Sequence, residues 1–171
     1  MIKPPPTREL PEAEAALATL AAAMREGIAP DAKLVGIYSG GAWLAERLGE
    51  VLSGEHAVGY IDVSFYRDDY GKKGLRTHVE TTTLPFEVAG NRIVLIDDVL
   101  FTGRSVRAAI NELFDYGRPE SIELAVLVDR GGRELPIQAD VVGKVVKTGP
   151  GDRVEVQVTE VDGRDQVDLV R

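Results

Sequence analysis

Apolar positions recur along this chain at two different periods, and the switches between them mark its elements. Leu10, Leu17, Leu20 and Met24 follow at spacings of seven, three and four in an alanine-rich stretch, one stripe of an amphipathic helix that should end near Gly27-Ile28-Ala29-Pro30. Leu34-Val35-Gly36-Ile37 is a short apolar run closed by Ser39-Gly40-Gly41, and Leu44, Leu48 and Leu52 follow at steps of four. That order reads as strand, glycine loop, helix. Ile61, Val63 and Phe65 alternate with Asp62 and Ser64, which predicts a strand with one face more polar than the other.

From Tyr66 to Glu87 the chain is polar and charged, holds Gly71 and Gly74, and keeps no period, so it reads as a long loop of the kind that serves as a lid, about 67–84. Ile93-Val94-Leu95-Ile96 is a continuous apolar run, as in a strand buried on both faces, and two carboxylates end it. Val106, Ile110, Leu113 and Phe114 then recur at helical spacing until Gly117-Arg118-Pro119. Ile122 to Val128 is a further buried strand. Apolar strand, glycine-containing turn and amphipathic helix in repeated order imply an α/β sheet of parallel strands with right-handed crossovers. Val141-Val142, Val145-Val146 and the alternating Val154, Val156 and Val158 suggest short, antiparallel strands at the edge or top of the sheet.

A length of 171 residues suits a single domain over 1–171. The apolar fraction of 44% and charged fraction of 28% are those of a globular chain, and no stretch approaches the length of a membrane span. Met1-Ile2-Lys3-Pro4-Pro5-Pro6 lacks the apolar core of a signal peptide and there is no cysteine, so a cytoplasmic setting is expected. Twenty basic against 28 acidic residues leave a net charge of -8, which repels polyanions and confines any nucleic-acid site to a local patch.

In an open α/β sheet ligands sit beyond the C-terminal ends of the strands, where Asp97-Asp98 falls. Thr102-Gly103-Arg104-Ser105 opens the next helix, whose free backbone N–H groups and positive end suit a phosphate, with two hydroxyls as further donors. Adjacent carboxylates accept from the two hydroxyls of a ribose. Neither G-x-x-x-x-G-K-[ST] nor G-x-G-x-x-G occurs. An isolated Asp-Asp pair followed by a helix cap would by itself be a solvated strand end; the whole segment together reads as a ribose-phosphate site.

Ile93 to Ser105, read as Ile-Val-Leu-Ile-Asp-Asp-Val-Leu-Phe-Thr-Gly-Arg-Ser, resembles the phosphoribosyl pyrophosphate (PRPP) signature of the type I phosphoribosyltransferases, and most closely that of the PyrR family. The resemblance extends to Phe65-Tyr66-Arg67-Asp68-Asp69, to Asp115-Tyr116-Gly117-Arg118-Pro119, and from Leu127 through Arg133-Glu134-Leu135-Pro136-Ile137. It implies a mainly parallel five-stranded sheet flanked by helices, a small hood over the base, a flexible lid, and a homodimer or larger homo-oligomer. It also implies transfer of a phosphoribosyl group from PRPP to uracil, giving UMP and pyrophosphate, with Mg²⁺ held through PRPP oxygens and no metal site of the protein's own.

By position, the resemblance gives Asp97 and Asp98 the ribose hydroxyls and Thr102, Gly103, Arg104 and Ser105 the 5′-phosphate, with Val99, Leu100 and Phe101 also in the PRPP-binding segment. Ser39, Gly40 and Gly41 would meet the pyrophosphate; Arg67 and the lid residues Lys72, Lys73, Arg76 and His78 would stabilise it; Arg130 and Val154 would lie by the base. Solvated lid cations and a strand valine packed in the sheet are the plainer readings of the same side chains. His56, in a turn, carries no functional expectation.

Two departures from the family pattern matter. The first strand's loop usually reads Thr-Arg-Gly, and here it is Ser39-Gly40-Gly41; loss of a charge-assisted contact of about 1.5–3 kcal/mol should weaken PRPP binding tenfold or more unless a lid cation substitutes. Arginine at position 40 should then tighten binding, provided the backbone there admits a side chain. The family's second activity, binding messenger RNA to attenuate pyrimidine genes, needs basic surface. The stretch Ala16–Met24 carries no basic residue, Gln138 replaces an arginine, and Lys144, Lys147 and Arg153 form a weak footprint against -8. A uridine-nucleotide-sensing RNA-binding regulator is therefore the second reading.

Overall fold

The computed structural model describes residues 12–38, 40–52, 54, 56–63 and 81–170. The alanine-rich stripe forms helix α1 (Ala13–Gly27), burying Ala16, Leu20, Ala21 and Met24. Leu17 packs half-buried against the same cluster, and Leu10 lies outside the described residues. Strand β1 (Lys33–Ile37) runs into helix α2 (Gly40–Val51), so the expected glycine loop is largely the first turn of that helix.

Strand β2 (Val58–Ile61) stops one residue before Asp62. The expected polar face is not formed there: Asp62 is 8% exposed, between the buried Ile61 and Val63. Alternation sorts side chains only within a strand, and Asp62 lies past the end of one. The expected lid also needs correction at its C-terminal end. Tyr60 and Thr83 exchange backbone hydrogen bonds at 2.8 and 2.9 Å, Leu84 and Phe86 pack on the core, and Val88 is fully buried. Paired backbone and buried apolar groups tie this stretch to the sheet. Residues 64–80, which hold the rest of the lid, lie outside the described residues.

Strand β3 (Arg92–Leu100) is longer than the apolar run Ile93–Ile96. It continues through Asp97-Asp98 because Asp97, Val99 and Leu100 keep parallel register with Val126, Val128 and Asp129 of strand β4 (Ser121–Asp129). Helix α3 (Arg104–Asp115) buries Val106, Ala108, Ala109 and Leu113. Phe114, expected on that stripe, is 54% exposed; one residue past Leu113 it is turned about 100° around the helix, off the buried face.

Strand β5 (Val141–Val145) pairs in parallel with β4, not antiparallel as expected, and closes the edge of the sheet. The five parallel strands lie in the order β2-β1-β3-β4-β5. Strands β6 (Arg153–Gln157) and β7 (Gln166–Val170), separated by the short helix α4 (Thr159–Asp162), form an antiparallel pair of their own.

Period-two alternation sorts the sheet's side chains between two apolar layers. Val94 and Ile96 pack with Leu20, Met24, Leu44 and Leu48 of α1 and α2. Ile93 and Leu95 pack on the other face with Val106, Ala109 and Leu113 of α3. Helix α2 lies unusually close to the sheet. A Cβ on Gly41 would overlap the Ile96 carbonyl, and one on Gly36 would lie 2.5 Å from Ala42 Cα. From β1 the chain crosses to β2 on one side, and from β3 to β4 on the other. The strand order therefore reverses between β1 and β3, where a crevice opens beyond the strand ends.

Candidate functional site

The C-terminal end of β3 brings the expected acidic pair to that crevice. Asp97 is 6% exposed, so it belongs to the buried side of the strand end and not to a solvated one. Its Oδ1 accepts from the Asp98 N–H at 2.9 Å, and Asp98 Oδ1 accepts from the Val99 N–H at 2.8 Å. Each carboxylate is thus oriented by the following amide. Leu100 is fully buried, so its side chain is core. Of the segment 99–105, Phe101 is the side chain most open to solvent, at 43%.

Gly103 is the N-cap of α3 and holds a left-handed conformation, with φ at 93°. A glycine suits that turn because L side chains are strained there, and a Cβ would press on Ile137 at 3.0 Å. Thr102 Oγ1 accepts from the Arg104 N–H at 3.2 Å. The turn therefore starts a twelve-residue helix four residues after β3 ends, at the same end of the sheet as Asp98. Arg104 offers this loop its backbone more than its charge, since its Nε donates to Glu134 Oε2 at 2.7 Å.

A brace that sequence reasoning did not assign runs beneath the loop. Arg133 Nη2 lies 2.7 Å from Oδ2 of the buried Asp129. The same guanidinium donates from Nη1 to the Phe101 carbonyl at 2.8 Å and from Nε to the Ile137 carbonyl at 2.9 Å. The Glu134 and Leu135 N–H groups both donate to the Thr102 carbonyl, at 3.0 and 3.2 Å. An aspartate closing an apolar run, with an arginine four residues on, was the available signal.

Arg130, expected by the base, packs its guanidinium over the Phe101 ring with 3.8 Å to the centroid, a cation–π contact. Its Nη2 donates to the Asp152 carbonyl. Among the described residues its buried Nε has no hydrogen-bond partner. Burial pulls this guanidinium below its usual range, and Asp152 opposes the shift. Val154, expected beside it, is buried in the α1-side apolar cluster, so a ligand could meet its backbone more readily than its side chain.

On the opposite wall, Gly40 and Gly41 open α2. Gly40 is not among the positive-φ glycines, so its backbone admits a side chain. The space does not: a Cβ would overlap Asp98 Oδ2 and lie 2.7 Å from its Cγ. Arginine at position 40 therefore requires the Asp98 side chain to shift, while the backbone meets the condition set for the expected tightening. Ser39, Arg67, Lys72, Lys73, Arg76 and His78 lie outside the described residues. Among the described residues no three histidine, aspartate or glutamate side chains gather as a metal cage, and no helix is long and apolar enough to cross a membrane.

Residues 8–162 match the Phosphoribosyl transferase domain family. Over 137 residues the chain is 55% identical to the Bifunctional protein PyrR of Ralstonia nicotianae, covering 78% of each. Over 148 residues it is 51% identical to that of Thermus aquaticus, covering 84% of this chain and 80% of the other. The chain belongs to the PyrR family of phosphoribosyltransferases. A hypoxanthine phosphoribosyltransferase from Staphylococcus aureus superposes with a TM-score of 0.62 over 88% of this chain and 84% of that one. At 19% identity it shows a shared type I phosphoribosyltransferase fold. Within the PyrR family frame, the crevice between β1 and β3 is the place where fold, acidic pair and helix N-terminus coincide.

Proposed function

We propose that this protein is a Mg²⁺-dependent uracil phosphoribosyltransferase, acting as one phosphoribosyltransferase domain and converting uracil and PRPP to UMP and pyrophosphate. The observation that carries the reading is the placement of Asp98 and the Gly103-capped start of α3 in one crevice at the sheet's switch point. The Asp97 and Asp98 carboxylates hold the ribose hydroxyls, and Thr102, Gly103, Arg104 and Ser105 hold the 5′-phosphate. Carboxylates next to substrate phosphates are the hard-oxygen setting in which Mg²⁺ binds mainly through its substrate. Bound that way, the ion neutralises charge on the departing pyrophosphate.

The C1–pyrophosphate bond breaks as a bond to N1 of uracil forms, and the proton from that nitrogen is lost to solvent or base. No covalent nucleophile takes part; positioning and preorganised donors lower the barrier. Arg130, stacked on Phe101, and the backbone at Val154 line the base end. The lid cations Lys72, Lys73, Arg76 and His78, with Arg67 and Ser39–Gly41, serve the pyrophosphate end. A cytoplasmic homo-oligomer completes the reading.

UMP formation from uracil, PRPP and Mg²⁺, with hypoxanthine, guanine, xanthine and orotate in parallel, tests it. Turnover with uracil alone is the expected result; turnover with a purine instead overturns the base assignment. The second reading, a uridine-nucleotide-responsive RNA-binding regulator, is favoured by the name Bifunctional protein PyrR that the relatives carry. The net charge of -8 weighs against it. Binding of PRPP or UMP with no turnover of any base would select it.

A further inference from the structure

The side chain and the main chain of Phe101 are held by different partners. The ring is 43% exposed and belongs to neither apolar layer of the sheet. It meets Arg130, whose guanidinium carbon lies 3.8 Å from the ring centroid. That guanidinium is also fastened to the turn before β6, since its Nη2 donates to the Asp152 carbonyl. The turn is closed on itself: the Gly149 N–H donates to Asp152 Oδ2 at 2.8 Å, and the Asp152 N–H donates to the Gly149 carbonyl at 3.1 Å. Arg130 thus bridges the segment after β3 and the entry to the small sheet. Burial has stripped water from its guanidinium, and the electron-rich face of a ring attracts a desolvated cation most strongly. The Phe101 carbonyl, by contrast, accepts from Arg133 Nη1 at 2.8 Å, and the Thr102 carbonyl accepts from the Glu134 and Leu135 N–H groups. A change of side chain at position 101 therefore leaves the brace of the phosphate loop in place.

We propose that Phe101 is a positioning residue for the nucleobase: its ring seats the Arg130 guanidinium at the base end, while only its backbone serves the phosphate loop. This rests on the reading of Arg130 as a residue of the base end. Without the ring, the guanidinium keeps the Asp152 carbonyl as its anchor and turns about it. The loss then falls on ligands that carry a base and spares those that end at the ribose.

The test compares UMP with ribose 5-phosphate, which has the same sugar and phosphate and no base. In calorimetric titration, Phe101→Leu should bind UMP about tenfold more weakly than wild type, the loss of one cation–π contact to a desolvated cation. Its affinity for ribose 5-phosphate should stay within about twofold of wild type. Phe101→Tyr keeps the ring face and should bind both ligands as the wild-type protein does. Arg130→Met should also weaken UMP binding, and Phe101→Leu added to it should cost less than about twofold more, because the ring then has nothing to seat. Additive losses overturn the proposal, since they show that the ring meets the nucleotide directly. Unchanged UMP affinity in Phe101→Leu overturns it too, as does an equal fall for ribose 5-phosphate, which marks distortion of the phosphate loop. Wild-type protein that holds UMP no more tightly than ribose 5-phosphate overturns instead the base-end reading on which the proposal rests. Both Phe101 variants should keep the wild-type melting temperature, because the ring lies outside the apolar layers; a leucine variant that does not fold assigns the ring to stability and overturns the proposal.

Discussion

Arg133 Nη2 stands 2.7 Å from the carboxylate of Asp129, which ends β4, and the same guanidinium holds the Phe101 carbonyl at 2.8 Å, joining the end of one strand to the loop after its neighbour. With the Ile137 carbonyl, which accepts from Nε at 2.9 Å, three acceptors thus converge on one planar donor, an arrangement that the fork of an arginine can satisfy and the point charge of a lysine cannot.

Arg133→Ala should therefore destabilise the protein by about 2–3 kcal/mol, since it leaves the Asp129 carboxylate buried without this partner and frees the Phe101 carbonyl. Denaturant unfolding measures the loss. Arg133→Lys should recover less than half of it. PRPP affinity should fall in both variants, because the loop 101–103 loses its brace. Full stability in the alanine variant would show that the brace contributes nothing.

The acidic pair should divide its labour. Asp98 is half-buried beside Gly40, and Asp98→Asn is expected to abolish calorimetric PRPP binding while moving the melting temperature little. Asp97 is buried and accepts the Asp98 N–H, so Asp97→Asn should lose PRPP binding and also about 1 kcal/mol of stability. Normal PRPP titration by the doubly substituted protein would remove the site assignment altogether.

The small β6-β7 sheet should loosen in acid. Arg47 of α2 reaches Glu160 Oε1 at 2.9 Å and Asp165 Oδ1 at 2.8 Å. Hydrogen bonding to Arg47 holds the Asp165 carboxyl down from 3.8 to about 2, against a smaller opposing effect of burial; Arg47 likewise lowers Glu160. A depressed carboxyl stabilises the fold fully above its unfolded value and loses that contribution as pH falls through the folded one. The contribution of Asp165 should thus disappear between about pH 4 and pH 2. Arg47→Met should flatten stability over that window in pH-dependent thermal unfolding. An unaltered pH profile in the variant would show that the network is not coupled to folding.

Hydrophobic period and punctuation were sufficient for the order of elements from α1 to β4, and for the meeting of an acidic strand end with a helix N-terminus at Asp97–Ser105. These are local facts: alternation, helical spacing and a glycine turn each act within a few residues. The same logic misplaced Phe114, which period alone puts near the stripe and the helix turns to solvent. It also misread β5, because a run such as Val141–Val145 carries no mark of the direction in which its neighbour runs. Tertiary structure alone decided that Asp97 is buried, that Arg133 spans Asp129 and Phe101, and that Gly40 lies against the Asp98 carboxylate. Each of these depends on atoms distant in sequence approaching to within bonding or overlapping range. Only the closing of α2 onto β3, and of the segment 130–137 onto the loop 101–103, brings those atoms together.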